Sequence, residues 1–122
     1  MDLDQRIAQA AERLTPQLVA LRKQLHQHPE LAFEEHETAR AVGEFLKKLG
    51  IPFRSGVGKT GIVAVLEGSG PGRTIGIRAD MDALPIHEET GLAFASKIPG
   101  KMHACGHDVH TVIAGEIGRA HV

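Results

Sequence analysis

The run Met102-His103-Ala104-Cys105-Gly106-His107-Asp108-Val109-His110-Thr111 holds the only cysteine of the chain and three of its eight histidines. A thiolate and a neutral imidazole two residues apart, with a glycine between them to let the backbone turn, suit zinc or a similar divalent ion. The pattern points to Cys105 and His107 as metal ligands. It is half a site, because two ligands alone do not hold a catalytic metal. Two other readings stay open for Cys105: a small buried hydrophobe, or a thiol nucleophile with His107 or His110 as its base. Clustered imidazoles seldom serve packing, which favours ligation.

Asp80-Met81-Asp82 follows an apolar run that reads as a strand. Carboxylates at the C-terminal edge of a strand face the crevice where α/β proteins place their sites. Asp82 can ligate a metal or hold a ligating histidine in its tautomer from behind, although aspartates also simply open loops. His26-Gln27-His28-Pro29-Glu30 forms a second histidine cluster, at a predicted helix end, where a solvated terminus and the helix dipole account for it. Glu34, Glu35 and Glu37 read as the acidic first turn of the next helix. Gly56-Val57-Gly58-Lys59-Thr60-Gly61 precedes a strand and has the wrong spacing for a phosphate loop, so phosphate binding is excluded.

The elements that must position these residues can be read from periodicity. Leu3, Ile7, Ala10 and Leu14 recur at helical spacing, and Thr15-Pro16 then predicts a new N-cap and a second helix toward His26, with Leu18, Leu21 and Leu25 as its stripe. Pro29 limits it. Glu37 to Leu49 predicts a third helix closed by Gly50. Ile62 to Leu66 and Thr74 to Arg78 predict two strands joined by a tight turn over 67–72, with a weaker strand over Pro52 to Ser55. Asp80 to Lys101 predicts a long functional loop, and a helix is predicted from Asp108. The expected fold class is α/β, helices followed by strands of an incomplete sheet.

At 122 residues, 42% hydrophobic and 24% charged, the chain suits one modest domain. A net charge of −1 and an aromatic content of 3% imply neither a nucleic-acid nor an anionic-membrane partner. An acidic start and the lack of a long apolar run predict a cytoplasmic protein. A single cysteine fits a reducing compartment.

Four blocks together resemble the N-terminal part of the di-metal amidohydrolases that include N-acyl-L-amino-acid amidohydrolases, hippurate hydrolases and hydrolases of indole-acetyl amino acid conjugates. The blocks are Leu25 to Glu35, Thr60 to Ala64, Ile77 to Ile86 and Met102 to Asp108. The resemblance implies a metallopeptidase-like catalytic domain over 1–115 and two divalent ions, zinc or manganese, in the complete enzyme. Cys105 and His107 match metal ligands, with Cys105 bridging both ions, and Asp82 matches the catalytic-motif aspartate. Asp80 stands where related metallopeptidases carry a ligating histidine; with Asp108 and His110 it is a candidate for supporting the site. The implied substrate is an N-acyl amino acid, and the implied full-length protein is a homo-oligomer. The family's glutamate pair and later histidines have no counterpart here, so the expectation is a truncated amidohydrolase without turnover; the alternative is a non-catalytic metal-binding or interaction module. Glu116 to Val122 departs from the family and resembles translated adapter sequence, so 116–122 is expected to be a non-native tail in which His121 is no ligand.

Overall fold

A computed structural model describes the backbone of residues 1–120 and the side chains of residues 1–117. The order is α1 (Leu3–Gln27), α2 (His36–Lys48), β1 (Phe53–Val57), β2 (Gly61–Ala64) and α3 (His107–Ala120). This is the expected α/β composition, with three helices and a two-stranded antiparallel sheet among the described residues. Glu116 to Ala120, in the expected tail, form the last part of α3; His121 and Val122 lie outside the described residues.

The two helices predicted before His26 are one, because α1 runs through Pro16 without a break. Pro16 removes its own donor and crowds the carbonyl four residues back, but its fixed φ is helical and the helix continues past it. Thr15, read as a cap, instead donates its hydroxyl back to the Ala11 carbonyl at 2.7 Å. The true cap is Asp2, whose carboxylate accepts from the Gln5 amide at 2.8 Å while the Gln5 side chain accepts from the Asp2 amide. Leu14 and Leu25 from α1, Leu46 from α2, Ile51, Ala83 and Val112 from α3 are buried and form the core.

Helix α2 begins one residue before the predicted start and ends one residue before the predicted end. Gly50 takes φ +71, its amide donates to Lys47 O and the Ile51 amide donates to Leu46 O, both at 3.0 Å. That left-handed residue closes the helix as the sequence predicts. The opposite end was not foreseen. Glu30 accepts from the amides of Glu37 and Thr38 at 3.1 and 2.6 Å, so an upstream carboxylate satisfies donors that the helix start leaves open. Glu35, read as part of a solvated acidic turn, is buried and accepts from the Thr60 hydroxyl.

The hairpin differs from the predicted one. Pro52 to Ser55, read as the weaker strand, contributes most of β1, which pairs with β2 in the register Phe53↔Ala64, Arg54↔Val63 and Val57↔Gly61, with an irregularity between Arg54 and Val57. Thr74 to Arg78 pairs with nothing among the described residues, and Ile75 is 84% exposed. An apolar alternating run becomes a strand only when a neighbour completes its ladder, and none of the described residues supplies that neighbour. From Val65 to Gly106 the only pairing is an isolated bridge between Leu84 and Met102, with N–H to O distances of 2.9 and 3.0 Å. That bridge closes the predicted long loop at its base. It brings the segment after Asp82 beside the segment before Cys105.

Candidate metal centre

Gly106 adopts φ +121 and its carbonyl accepts from the amides of Val109 and His110 at 3.1 and 3.0 Å, so the chain turns there and α3 starts. A side chain would strain this φ. His107 is thereby placed on the first turn of α3, facing the end of the 72–82 segment. Thr111, one turn on, donates its hydroxyl to the Asp80 carbonyl at 2.9 Å and anchors that segment to the helix.

Ligand atoms of Asp80, Asp82 and His107 lie within 4.8 Å of one another. His107 Nδ1 donates to Asp82 Oδ1 at 2.9 Å and to the Asp82 carbonyl at 3.0 Å. With the proton on Nδ1, Nε2 keeps the lone pair. A carboxylate behind a histidine is the arrangement that orients an imidazole toward a metal. Two carboxylates and an imidazole are donors that suit a divalent ion, so the residues present fit one.

The structure brings together only part of the predicted set. Cys105 is exposed, on the turn before α3, and is not one of the three converging residues. His110 is exposed, its ring 6.1 Å from that of His107, and it lines an open groove with Ile77, Asp80, Ile113 and Ile117. Asp108 is only 1% exposed and its Oδ2 accepts from Arg22 Nε and faces His26 Nδ1, each at 2.9 Å.

His26 therefore corrects the reading of a solvated helix terminus: it is 2% exposed, and its Nε2 lies 2.9 Å from Glu88 Oε1. Phe94 packs edge-on against it at 5.4 Å, with the Arg22 guanidinium 4.9 Å over the same ring. Sequence reasoning passed over Arg22, Glu88 and Phe94. The legible signal was spacing: Arg22 and His26 stand four apart on one helix face, beside the stripe that ends in Leu25. His103 is 5% exposed and neither ring nitrogen has a partner among the described residues.

Burial pushes the Asp108 carboxyl up, but hydrogen bonds from His26 and Arg22 and the nearby positive charges outweigh it, leaving the group below its ordinary value. Glu88 is lowered in the same way: desolvation opposes, while hydrogen bonds from Thr90, the Ser96 amide and His26 prevail. Burial, reinforced by His26 and His107, also lowers His103 against the pull of Asp108 and Asp82. All three shifts make acid destabilising. Below about pH 6.5 the unfolded chain takes up a proton on His103 that the folded chain resists. Stability from Glu88 and Asp108 is full above about pH 4.5 and is lost as pH falls through their lower folded values. Urea midpoints should thus fall from about pH 7.5 to 5.5 and again toward about pH 4. A midpoint that rose over the first interval would contradict the His103 shift.

Residues 76–116 match the family model for peptidase family M20/M25/M40. A Bacillus subtilis crystal structure, described as a dinuclear metal binding peptidase from the M20 family, superposes with a TM-score of 0.82 at 42% identity over 90% of this chain and 32% of that one. This chain resembles M20 peptidases over most of its own length. It is 43% identical to thermostable carboxypeptidase 1 of Saccharolobus solfataricus, over 93% of this chain and 29% of that protein. It is 50% identical to the N-acyl-L-amino acid amidohydrolase of Geobacillus stearothermophilus, over 88% of this chain and 29% of the relative. The chain thus spans under a third of the length of these relatives. No helix among its described residues is long and apolar enough to cross a membrane.

Proposed function

We propose that this chain supplies the N-terminal side of a two-metal amide hydrolase that cleaves N-acyl amino acids, with His107 as a ligand and Asp82 holding its tautomer. The observation that carries this reading is the convergence of Asp80, Asp82 and His107 with Asp82 on His107 Nδ1. Cys105, across Gly106 from His107, is the second proposed ligand, and zinc or manganese the proposed metal. Bound divalent ions would lower the pKa of a water and polarise the amide carbonyl.

The part played by this chain's own residues is narrower. His107 presents Nε2, Asp82 fixes the ring, and Asp80 adds negative charge that favours a cation at the same point. Three converging groups do not also provide a carboxylate free to take a proton from water. The chain alone is therefore proposed to bind metal weakly and to lack turnover, the activity belonging to the full-length protein. The amidohydrolase relative supports an N-acyl amino acid as substrate, and the lone cysteine supports a cytoplasmic location.

Titration of zinc and manganese against a competing chelator tests the ligands. Cys105→Ser and His107→Ala should each weaken binding, and unchanged affinity in both would remove the assignment. N-acetyl amino acids and hippurate should not be hydrolysed above a metal-only control. Metal-dependent turnover that vanished in Asp82→Asn would instead make this chain an enzyme by itself.

A further inference from the structure

We infer that His26 is the positioning residue of this metal centre, a single buried imidazole that ties the segment after Asp82 to the helix start that carries His107. The inference rests on the reading of His107 as a ligand. Two stretches distant in sequence must meet for the site to form, and between them lies a loop with no helix or strand of its own. Such a loop, unrestrained, samples many end-to-end distances.

The Leu84–Met102 bridge closes the loop at its base, and His26 restrains it further from both sides. Its Nε2 meets Glu88, on the loop that leaves Asp82, and its Nδ1 meets Asp108, the residue after His107. The Glu88 side chain is 2% exposed and also accepts from the Ser96 amide at 2.8 Å and from the Thr90 hydroxyl, so the loop is folded around the carboxylate that His26 holds. The last residue of α1 and the turn after it receive the loop through their backbone: the Lys97 amide donates to Gln27 O at 2.9 Å and the Ala83 amide to Glu30 O at 2.8 Å. Asp82 and His107 are thus set against each other by α1, which contributes no atom to the converging group.

A side chain that merely stabilised the fold would affect the site only in proportion to stability. A positioning residue alters the geometry at His107 itself. The test compares wild type with His26→Gln, Glu88→Gln, His107→Ala and a core control, Leu14→Ala, in the full chain. Cobalt(II) binding is followed by its visible absorption, and the His107 ring nitrogens by 15N NMR of the metal-free protein. Changes behind a ligating histidine weaken metals by about 10–100-fold, and both His26→Gln and Glu88→Gln should fall in that range. Both should shift the cobalt spectrum, and both should lose the single Nδ1-protonated signature of His107. Leu14→Ala should lower the melting temperature and leave affinity and tautomer as they are.

If His26→Gln does not fold, Glu88→Gln decides alone. Cobalt binding lost in His107→Ala but kept in the His26 and Glu88 variants, with an unchanged His107 tautomer, would overturn the inference and leave the metal ligand standing. Equal loss of affinity in Leu14→Ala would also overturn it. Binding indifferent to His107→Ala would remove both the ligand and the positioning role.

Discussion

Asp108→Ala is expected to destabilise the chain by about 3 kcal/mol, the lower end of the cost of breaking a buried ion pair, because Asp108 is buried while Arg22 is a third exposed. Asp108 is among the least exposed residues, and a single oxygen of its carboxylate takes both Arg22 Nε and His26 Nδ1. Without it, a buried imidazole loses one acceptor and the guanidinium loses its only carboxylate among the described residues. Asp108→Asn, which keeps the shape and one acceptor, should cost less. The carboxyl is held below its ordinary value, so the gap between wild type and Asp108→Ala should narrow as pH falls through that value, where wild type loses the same interaction. Urea denaturation at neutral pH measures the effect. A loss under about 1 kcal/mol would class the contact with exposed ion pairs and remove its structural role.

Leu25→Ala should cost about 2–5 kcal/mol, because a buried leucine loses both its transfer free energy and the contacts around the space it leaves. Leu25 is buried on α1 immediately before His26, and it also lines a groove with Pro29, Thr38, Ala41 and Ile98. The groove opens to solvent, so partial filling by water or neighbouring side chains places the expected loss in the lower half of that range. Unlike the loss at Asp108, it should stay constant as the carboxylates titrate, since no charge is involved. A change in denaturation midpoint no larger than that of an exposed residue such as Ile7 would show that Leu25 is not part of the core.

What the sequence determined by itself is what depends on neighbours along the chain. Gly50 ends α2 because its own φ must be positive, Gly106 lets the chain turn between Cys105 and His107, and α3 starts within the histidine cluster; each is a local backbone requirement that the residue type declares. The four-block resemblance pointed to the family for the same reason: chemistry-bearing residues sit in short, readable runs. What only the tertiary structure decided depends on partners far away in the chain. Thr74 to Arg78 alternates like a strand yet stays unpaired, because a ladder needs a neighbour that periodicity cannot supply. Pro16 lies inside a helix that the sequence divides, because local propensity is a weak prior beside packing of Leu14 and Leu25. His26 is the clearest case. Its place at a helix end is that of a solvated residue, and it became the buried link between Glu88 and Asp108 only when the loop folded onto α1. A polar side chain can be buried when its partners arrive with it, and those partners are separated from it by 62 and 82 positions, a distance over which sequence pattern carries no signal.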